Sequence, residues 1–538
     1  MAHALTLGGP FEAPLSLDRL DALLGTPLNV SLTSEALARV STGRAWVDQL
    51  VARGDAVYGV NTGFGHLKNT RISPDQLDAL QENLLISHAV GVGVLVPRDI
   101  VRWMLLFKTH MLLAGHSGVR PIIVERLAAW LNHDFLPVVP TRGSLGASGD
   151  LAPLAHLMLP LIGRGELVVP PEQWRASGAP GVPALGAMRV DATIAQQSLG
   201  LAPLRLAAKE GLALINGTQF MSAYAANIAV RSRRLLNLVD LIYCMTLDGL
   251  RGSVRPADER LHQVRPHVGA QTVAANIRRL MQGSEILCSH ENCDRVQDPY
   301  SLRCAPQVHG AVRNALRHFC ETIEREINSV TDNPILFRGD FAPSAASPGA
   351  EAEPEAISGG NFHGEPLALV LDYLAIALTD LGNISERRIY LLLEGIDGLP
   401  KLLMRDTGLN SGFMLPQYTA AALVNECKVL ASPASVDSIP SSLGQEDHVS
   451  MGATAAVKCY EILDRVETIL AIEMLCAAQA LDFRLPLRAG VGPRAAHDLI
   501  RKTITHADRD RLFGEDIHAA LRLLRDNCEL RRIAVPSA

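Results

Sequence analysis

The sequence predicts an all-α protein, and three observations carry that expectation. Its 538 residues are 48% hydrophobic and 20% charged, ample for a large buried core. Aromatic residues make up only 4%, and leucine and alanine dominate the apolar set, a balance that favours helix over strand. Apolar residues also recur at helical spacing over long segments, as in Val308, Val312, Leu316, Phe319 and Ile327.

Length alone suggests about three or four domains, but no long low-complexity linker divides the chain. The formal net charge of −6 gives no electrostatic footprint for DNA, RNA or an anionic membrane, so a small-molecule role fits better. Nine cysteines at unpaired spacings read as the reduced thiols of a cytoplasmic protein. Cys288, His290 and Cys293 form the one metal-like cluster. They lack a second pair at matching spacing, so incidental thiols outweigh a zinc site and no metal is expected. The first residues lack the basic start and apolar run of a signal peptide. The longest uncharged run, 211–230, carries Asn216, Thr218, Gln219, Ser222 and Asn227 and is broken by Gly217, which favours a buried helix over a membrane span.

Taken in order, residues 1–50 alternate short apolar groups with polar ones, with a helix cap at Thr33 or Ser34 ahead of Ala36, Leu37 and Val40. Residues 57–65 combine three glycines with Tyr58, the composition of a turned or mobile loop. Residues 81–89 are helical in pattern. A lone histidine on such a face, here His88, is ordinarily a satisfied core residue.

The segment around which the chain is organised is Arg142-Gly-Ser-Leu-Gly-Ala-Ser-Gly-Asp-Leu-Ala-Pro-Leu-Ala-His156. It packs Ala147, Ser148 and Gly149 into a tight turn and then starts a helix, with Asp150 as its cap, Pro153 in the first turn and Leu151, Leu154, Ala155 and Met158 on the apolar face. In such a turn the Gly149 nitrogen, unshielded by a Cβ, can reach the Ala147 carbonyl carbon. Ring closure and loss of the Ser148 hydroxyl would leave an exocyclic methylene conjugated to carbonyls, an electrophile that no standard side chain provides. A bare Ala-Ser-Gly is more often a plain capping loop. A hydrolase elbow would need glycine where Asp150 stands.

Beyond it, residues 165–203 are rich in Pro, Gly and Ala and read as a surface excursion without chemistry. Residues 209–219 enter a long apolar segment with a polar Asn216-Gly-Thr-Gln219 step inside, which either satisfies backbone or faces a ligand. In 296–304, Tyr300 and Arg303 stand three apart and share a helix face. Helical periodicity runs from Pro306 to Ile327, is broken at 328–334, and gives way at 339–360 to a low-complexity stretch read as a disordered insertion. Residues 358–366 open another apolar helix through Leu381, where Phe362 is core by spacing alone. Glu446 and Asp447 precede a long helix to about Ala480, where acidic groups suit its positive end. Short helices close the chain after Phe483.

The 143–156 string resembles the active-site signature of the aromatic amino acid ammonia-lyase family, whose members form 4-methylideneimidazol-5-one (MIO) from an internal Ala-Ser-Gly. The match continues in pieces from about Tyr58 to Met451. It implies an all-helical fold, with a compact N-terminal part at 1–205 bearing the MIO turn, a bundle of long helices at 206–485 and short helices at 486–538. The resemblance further implies a homotetramer with active sites shared among subunits, and MIO as the cofactor with no dissociable one. Catalytic roles would fall to Ala147, Ser148 and Gly149 as its source, Tyr58 lowered over it, and Tyr300 as the β-proton base. Substrate contacts would fall to Asn216, Gln297 as a polar wall, Arg303 as the carboxylate anchor, and Phe362. Ser87-His88 and Glu446 resemble the histidine branch, which eliminates ammonia from L-histidine to give trans-urocanate. A tyrosine or phenylalanine lyase or an aminomutase on the same scaffold stays open, as does a helical scaffold without catalysis.

Overall fold

The computed structural model describes residues 2–54, 57–63, 65, 72–172, 188–291, 295–338 and 353–535. Helices dominate it, as composition predicts. Strands are confined to four small sheets of two or three short strands among the described residues. Contacts group the chain into two compact units that interleave along the sequence. Consecutive divisions near 205 and 485 do not describe this grouping, because helices 22 to 31 residues long carry the chain from one unit to the next.

The first unit comprises 1–227, 320–371 and 434–457. Strands His3–Leu7 and Leu28–Leu32 pair in parallel. The helix Ser34–Arg53 starts where expected, with the Thr33 hydroxyl accepting the Ala36 N–H and Gly54 closing it in the left-handed region. Helices Arg98–Leu112 and Pro121–His133 form the inner layer, burying Trp103 and Trp130 completely. Two short antiparallel sheets frame the helix Leu151–Met158 in sequence: Val92–Leu95 with Pro140–Arg142, and Leu136–Pro137 with Glu166–Val169 and Met188–Asp191. The stretch read as a surface excursion supplies two strands and the helix Ala192–Gln197. Part of the stretch read as a disordered insertion is likewise ordered. Pro354–Ile357 pairs with Ile335–Arg338, while residues 339–352 lie outside those described.

The second unit comprises 228–319, 372–433 and 458–538. It holds the greater part of the helices Gln219–Gly249, Ala305–Glu326, Glu365–Leu393 and Gly452–Asp482, with Val268–Leu280 and Met414–Leu430. Glu365–Leu393 is long and apolar enough to cross a membrane, but 67% of its most apolar stretch is buried inside the protein. A polar network ties these helices internally. Glu473 accepts from the Arg388 Nε at 2.5 Å and Nη2 at 2.8 Å, from Ser385 at 2.6 Å and from Thr246 at 2.9 Å. His309 bridges the Arg388 guanidinium to Asp240, which also receives Arg313 and Asn276. Arg388 and Glu473 have no exposed side chain, so their desolvation is offset only while both partners are present.

Arg388→Leu strands the Glu473 carboxylate and is expected to destabilise the fold by about 3–5 kcal/mol in denaturant unfolding. A loss no greater than that of an ordinary surface substitution would show that Glu473 finds other partners.

Candidate active site

The Ala-Ser-Gly turn is held in a conformation that side chains rarely adopt. Ser148 has φ +52° and Gly149 φ +80°, both in the left-handed region. The Ser144 hydroxyl donates to the Gly149 carbonyl at 3.2 Å and accepts the Gly146 N–H at 3.2 Å, and Gly149 N–H donates to the Gly146 carbonyl at 3.1 Å. From the other side, Gly217 clasps the turn: its N–H donates to the Ser148 carbonyl at 3.1 Å, and its carbonyl accepts the Asp150 N–H at 2.8 Å. A Cβ at position 149 would stand 2.2 Å from the Gly217 oxygen, so glycine is required there by space as well as by φ.

Asp150 corrects the sequence reading. Its side chain makes no capping bond to the Leu151–Met158 helix. Its carboxylate instead accepts the Met221 N–H at 3.0 Å, at the start of Gln219–Gly249. It therefore tethers the turn to a residue 71 positions away. Complete burial, opposed by bonds from the Met221 and Phe220 N–H groups and by the charge of Lys108, raises this carboxyl to about 7. Pro153 does sit in the first helical turn, as expected.

Beside the turn lies a cavity of about 760 Å³. Ala147 and Ser148 line it together with Tyr58, Ser87, His88 and Glu446. His88 closes the helix Leu77–His88, with Ser87 Oγ 3.0 Å from its Nδ1. Burial lowers its pKa, while a bond at the Leu84 backbone and the Glu446 charge oppose that shift. His88 is thus a neutral imidazole at neutral pH. Burial raises the pKa of Tyr58, the Gly65 N–H pulls it down and Glu446 adds to the rise, so the phenol keeps its proton. The Gly65 N–H lies 3.4 Å from the Tyr58 oxygen. Glu446 is held by the Ser441 hydroxyl at 2.9 Å, six residues ahead of the helix it was expected to flank. It is a wall of the cavity, not a terminal charge.

The aromatic amino acid lyase family model matches residues 15–502. The chain belongs to that family. A histidine ammonia-lyase of Sorangium cellulosum is 47% identical over 517 residues, 95% of this chain and 96% of the relative. The crystal structure of histidine ammonia-lyase from Trypanosoma cruzi superposes with a TM-score of 0.85 at 38% identity, covering 99% of this chain and 96% of that one. A tyrosine aminomutase from Streptomyces globisporus superposes with a TM-score of 0.86 at 33% identity, covering 99% and 98%.

As an aromatic amino acid lyase, the chain places its remaining candidates as follows. Asn216 is buried, its Nδ2 donating to the Asn333 carbonyl at 2.9 Å and to Asp332 at 3.3 Å, with its Oδ1 left without a partner. Its neighbours Leu212 and Ile215 line the cavity. Phe362 is half-buried in the turn before Glu365–Leu393 and is not among the lining residues. Gln297, Tyr300 and Arg303 belong to the second unit. Gln297 is exposed, Tyr300 is 70% exposed, and the Arg303 guanidinium lies 4.3 Å over the Tyr300 ring, the shared face that their spacing predicts. Arg303 makes no ion pair among the described residues, which leaves its fork available for a carboxylate. No group of three metal-ligating side chains occurs among the described residues; Cys293 lies outside them.

Sequence reasoning missed Ser144, Ser441 and Lys108. Only Lys108 left a signal, as the one lysine of the apolar helix Arg98–Leu112.

Glu446→Gln removes the charge that raises both His88 and Tyr58, so the imidazole is expected to titrate lower than in the unaltered protein. NMR titration of the His88 ring reads this, and an unmoved midpoint would place the carboxylate out of electrostatic reach.

Proposed function

We propose that this chain is a histidine ammonia-lyase that converts L-histidine to trans-urocanate and ammonia, using an MIO group made from its own Ala147, Ser148 and Gly149. The observation that carries the reading is the clasped turn opening on a cavity that also presents His88 and Glu446. The turn fits such a group: two left-handed residues, a glycine nitrogen without a neighbouring Cβ, and a Ser148 carbonyl already held by an N–H donor. When formed, the group supplies an electrophile for the substrate's amino nitrogen, which makes a poor leaving group able to depart.

The chain's other residues bind, orient and move protons. Arg303 grips the substrate carboxylate with its planar fork, and Tyr300 takes the β-proton. Tyr58, protonated and at the cavity wall, supplies a donor near the reacting amino group. Asn216 presents a buried amide beside the turn. Gln297 and Phe362 complete the enclosure. Because Tyr300 is exposed in the single chain, we further propose a cytoplasmic homotetramer whose active sites are completed by neighbouring subunits.

Specificity follows from hydrogen bonding. A neutral His88 can exchange one hydrogen bond with a substrate imidazole, and Glu446 can accept another. A phenyl ring would leave these groups unpaired at about 1–3 kcal/mol for each. A tyrosine-directed reading has support from the likeness to the tyrosine aminomutase, and product analysis separates the two.

Incubation with histidine, tyrosine and phenylalanine is expected to yield urocanate and ammonia from histidine in preference to any product from the others. A β-amino acid or a preference for tyrosine would contradict the assignment. Ser148→Ala should abolish nearly all turnover with the fold retained, since one turn hydroxyl adds little stability. Ser87→Phe with His88→Leu and Glu446→Gln should shift kcat/KM toward phenylalanine by about tenfold or more. An unchanged ratio would remove these residues from the recognition of the ring.

A further inference from the structure

Among the buried groups that this reaction leaves unused, Lys108 has bonds that lead to the reacting turn. It stands on the helix Arg98–Leu112 with no exposed surface. Its Nζ donates to the carbonyl oxygens of Asn216 at 2.6 Å and Ala213 at 3.3 Å. It makes no ion pair among the described residues, and the nearby Asp332 is taken by Lys209 at 2.8 Å. An ammonium removed from water and met only by carbonyls is costly. Burial accordingly lowers Lys108 to about 7, with Asp332 and Asp150 opposing. A methionine would fill similar volume without that cost, so the position calls for a donor.

The Asn216 carbonyl and the Gly217 N–H belong to one peptide group. Lys108 binds its oxygen end, and its nitrogen end donates to the Ser148 carbonyl. A bond accepted at the oxygen of a peptide strengthens donation from its N–H, because hydrogen bonds in a chain polarise one another, and this holds for a charged or a neutral amine.

We propose that Lys108 is a positioning residue that acts through the Asn216–Gly217 peptide to hold and polarise the Ser148 carbonyl. The inference rests on the reading of the turn as the source of MIO. In forming that group the Gly149 nitrogen bonds to the Ala147 carbonyl carbon. One water leaves with the Ala147 oxygen and the amide protons of Ser148 and Gly149, and a second with the Ser148 hydroxyl and its Cα proton. The Ser148 carbonyl is then conjugated with the methylene, so a nucleophile adding there pushes electron density onto the Ser148 oxygen. The Gly217 N–H already donates to that oxygen.

The test compares the full-length protein with Lys108→Met, which removes the donor, and Lys108→Gln, which keeps one. Intact mass gives the fraction of chains lacking two waters, and also the rate at which matured chains add a small thiol. With circular dichroism matching the unaltered protein, Lys108→Met is expected to mature less completely and its matured chains to add the thiol about tenfold more slowly, with partial recovery in Lys108→Gln. A purely structural role would lower the unfolding temperature and leave the thiol rate alone. Full maturation with an unchanged thiol rate in folded Lys108→Met overturns the proposal. If neither variant folds, amide exchange in the unaltered protein decides: Gly217 protected like the Glu210–Ile215 helix supports it, and free exchange overturns it. An unaltered chain that keeps both waters would sink the reading of the turn itself, whereas loss of two waters with indifferent variants sinks only the role of Lys108.

Discussion

Everything proposed for this lyase depends on one backbone contact, the clasp of Gly217 on the Ala147–Asp150 turn. Two hydrogen bonds, from Gly217 N–H to Ser148 and from Asp150 N–H to Gly217, hold two consecutive residues at positive φ, of which Ser148 carries the strain. Left-handed conformations cost energy in a free chain and persist only where the surroundings over-determine them. Here the surroundings are a glycine with no room for a Cβ opposite it, the Ser144 hydroxyl bonded at both ends of the turn, and a buried carboxylate anchored on a distant helix start. These contacts fix the backbone on both sides of the Gly149 nitrogen, the atom that the proposed ring closure uses.

Behind the turn the protein concentrates polar groups that water never reaches. Lys209 pairs with Asp332, Asp332 receives Asn216, and Asn216 hands its carbonyl to Lys108. Such groups cost stability unless each finds a partner, and most of them do. Among the atoms left without partners, Asn216 Oδ1 and Asp150 Oδ1 lie on the residues flanking the clasp. On its open side the turn meets a cavity walled by Tyr58, His88 and Glu446, where burial keeps the phenol protonated and the imidazole neutral. One face is thus built to hold the backbone, and the other is the face we propose receives the substrate ring.

Much of the fold was legible because it follows from local chemistry. Thr33 caps its helix, Pro153 takes the first turn of another, and Tyr300 and Arg303 meet at three-residue spacing. The meeting of Ser148, Tyr58, His88 and Glu446 at one cavity was legible only through the family string, since nothing local ties residues almost four hundred positions apart along the chain. What escaped was long-range polar pairing. Asp150 reads as a cap for its own helix, yet serves one that begins at Gln219. Pro354–Ile357 lies in a low-complexity stretch, and its pairing with Ile335–Arg338 supplies order that composition does not encode. Ser144 and Ser441 are ordinary loop serines until their acceptors are known.

The most direct measurement is the mass of the tryptic peptide covering residues 143–164 from the active protein, because cleavage after Arg142 and Arg164 isolates the turn with no other lysine or arginine inside it. The account predicts a peptide lighter than its sequence by two waters, with the loss confined to Ala147, Ser148 and Gly149 on fragmentation. A peptide of unmodified mass from protein that turns over histidine would contradict it.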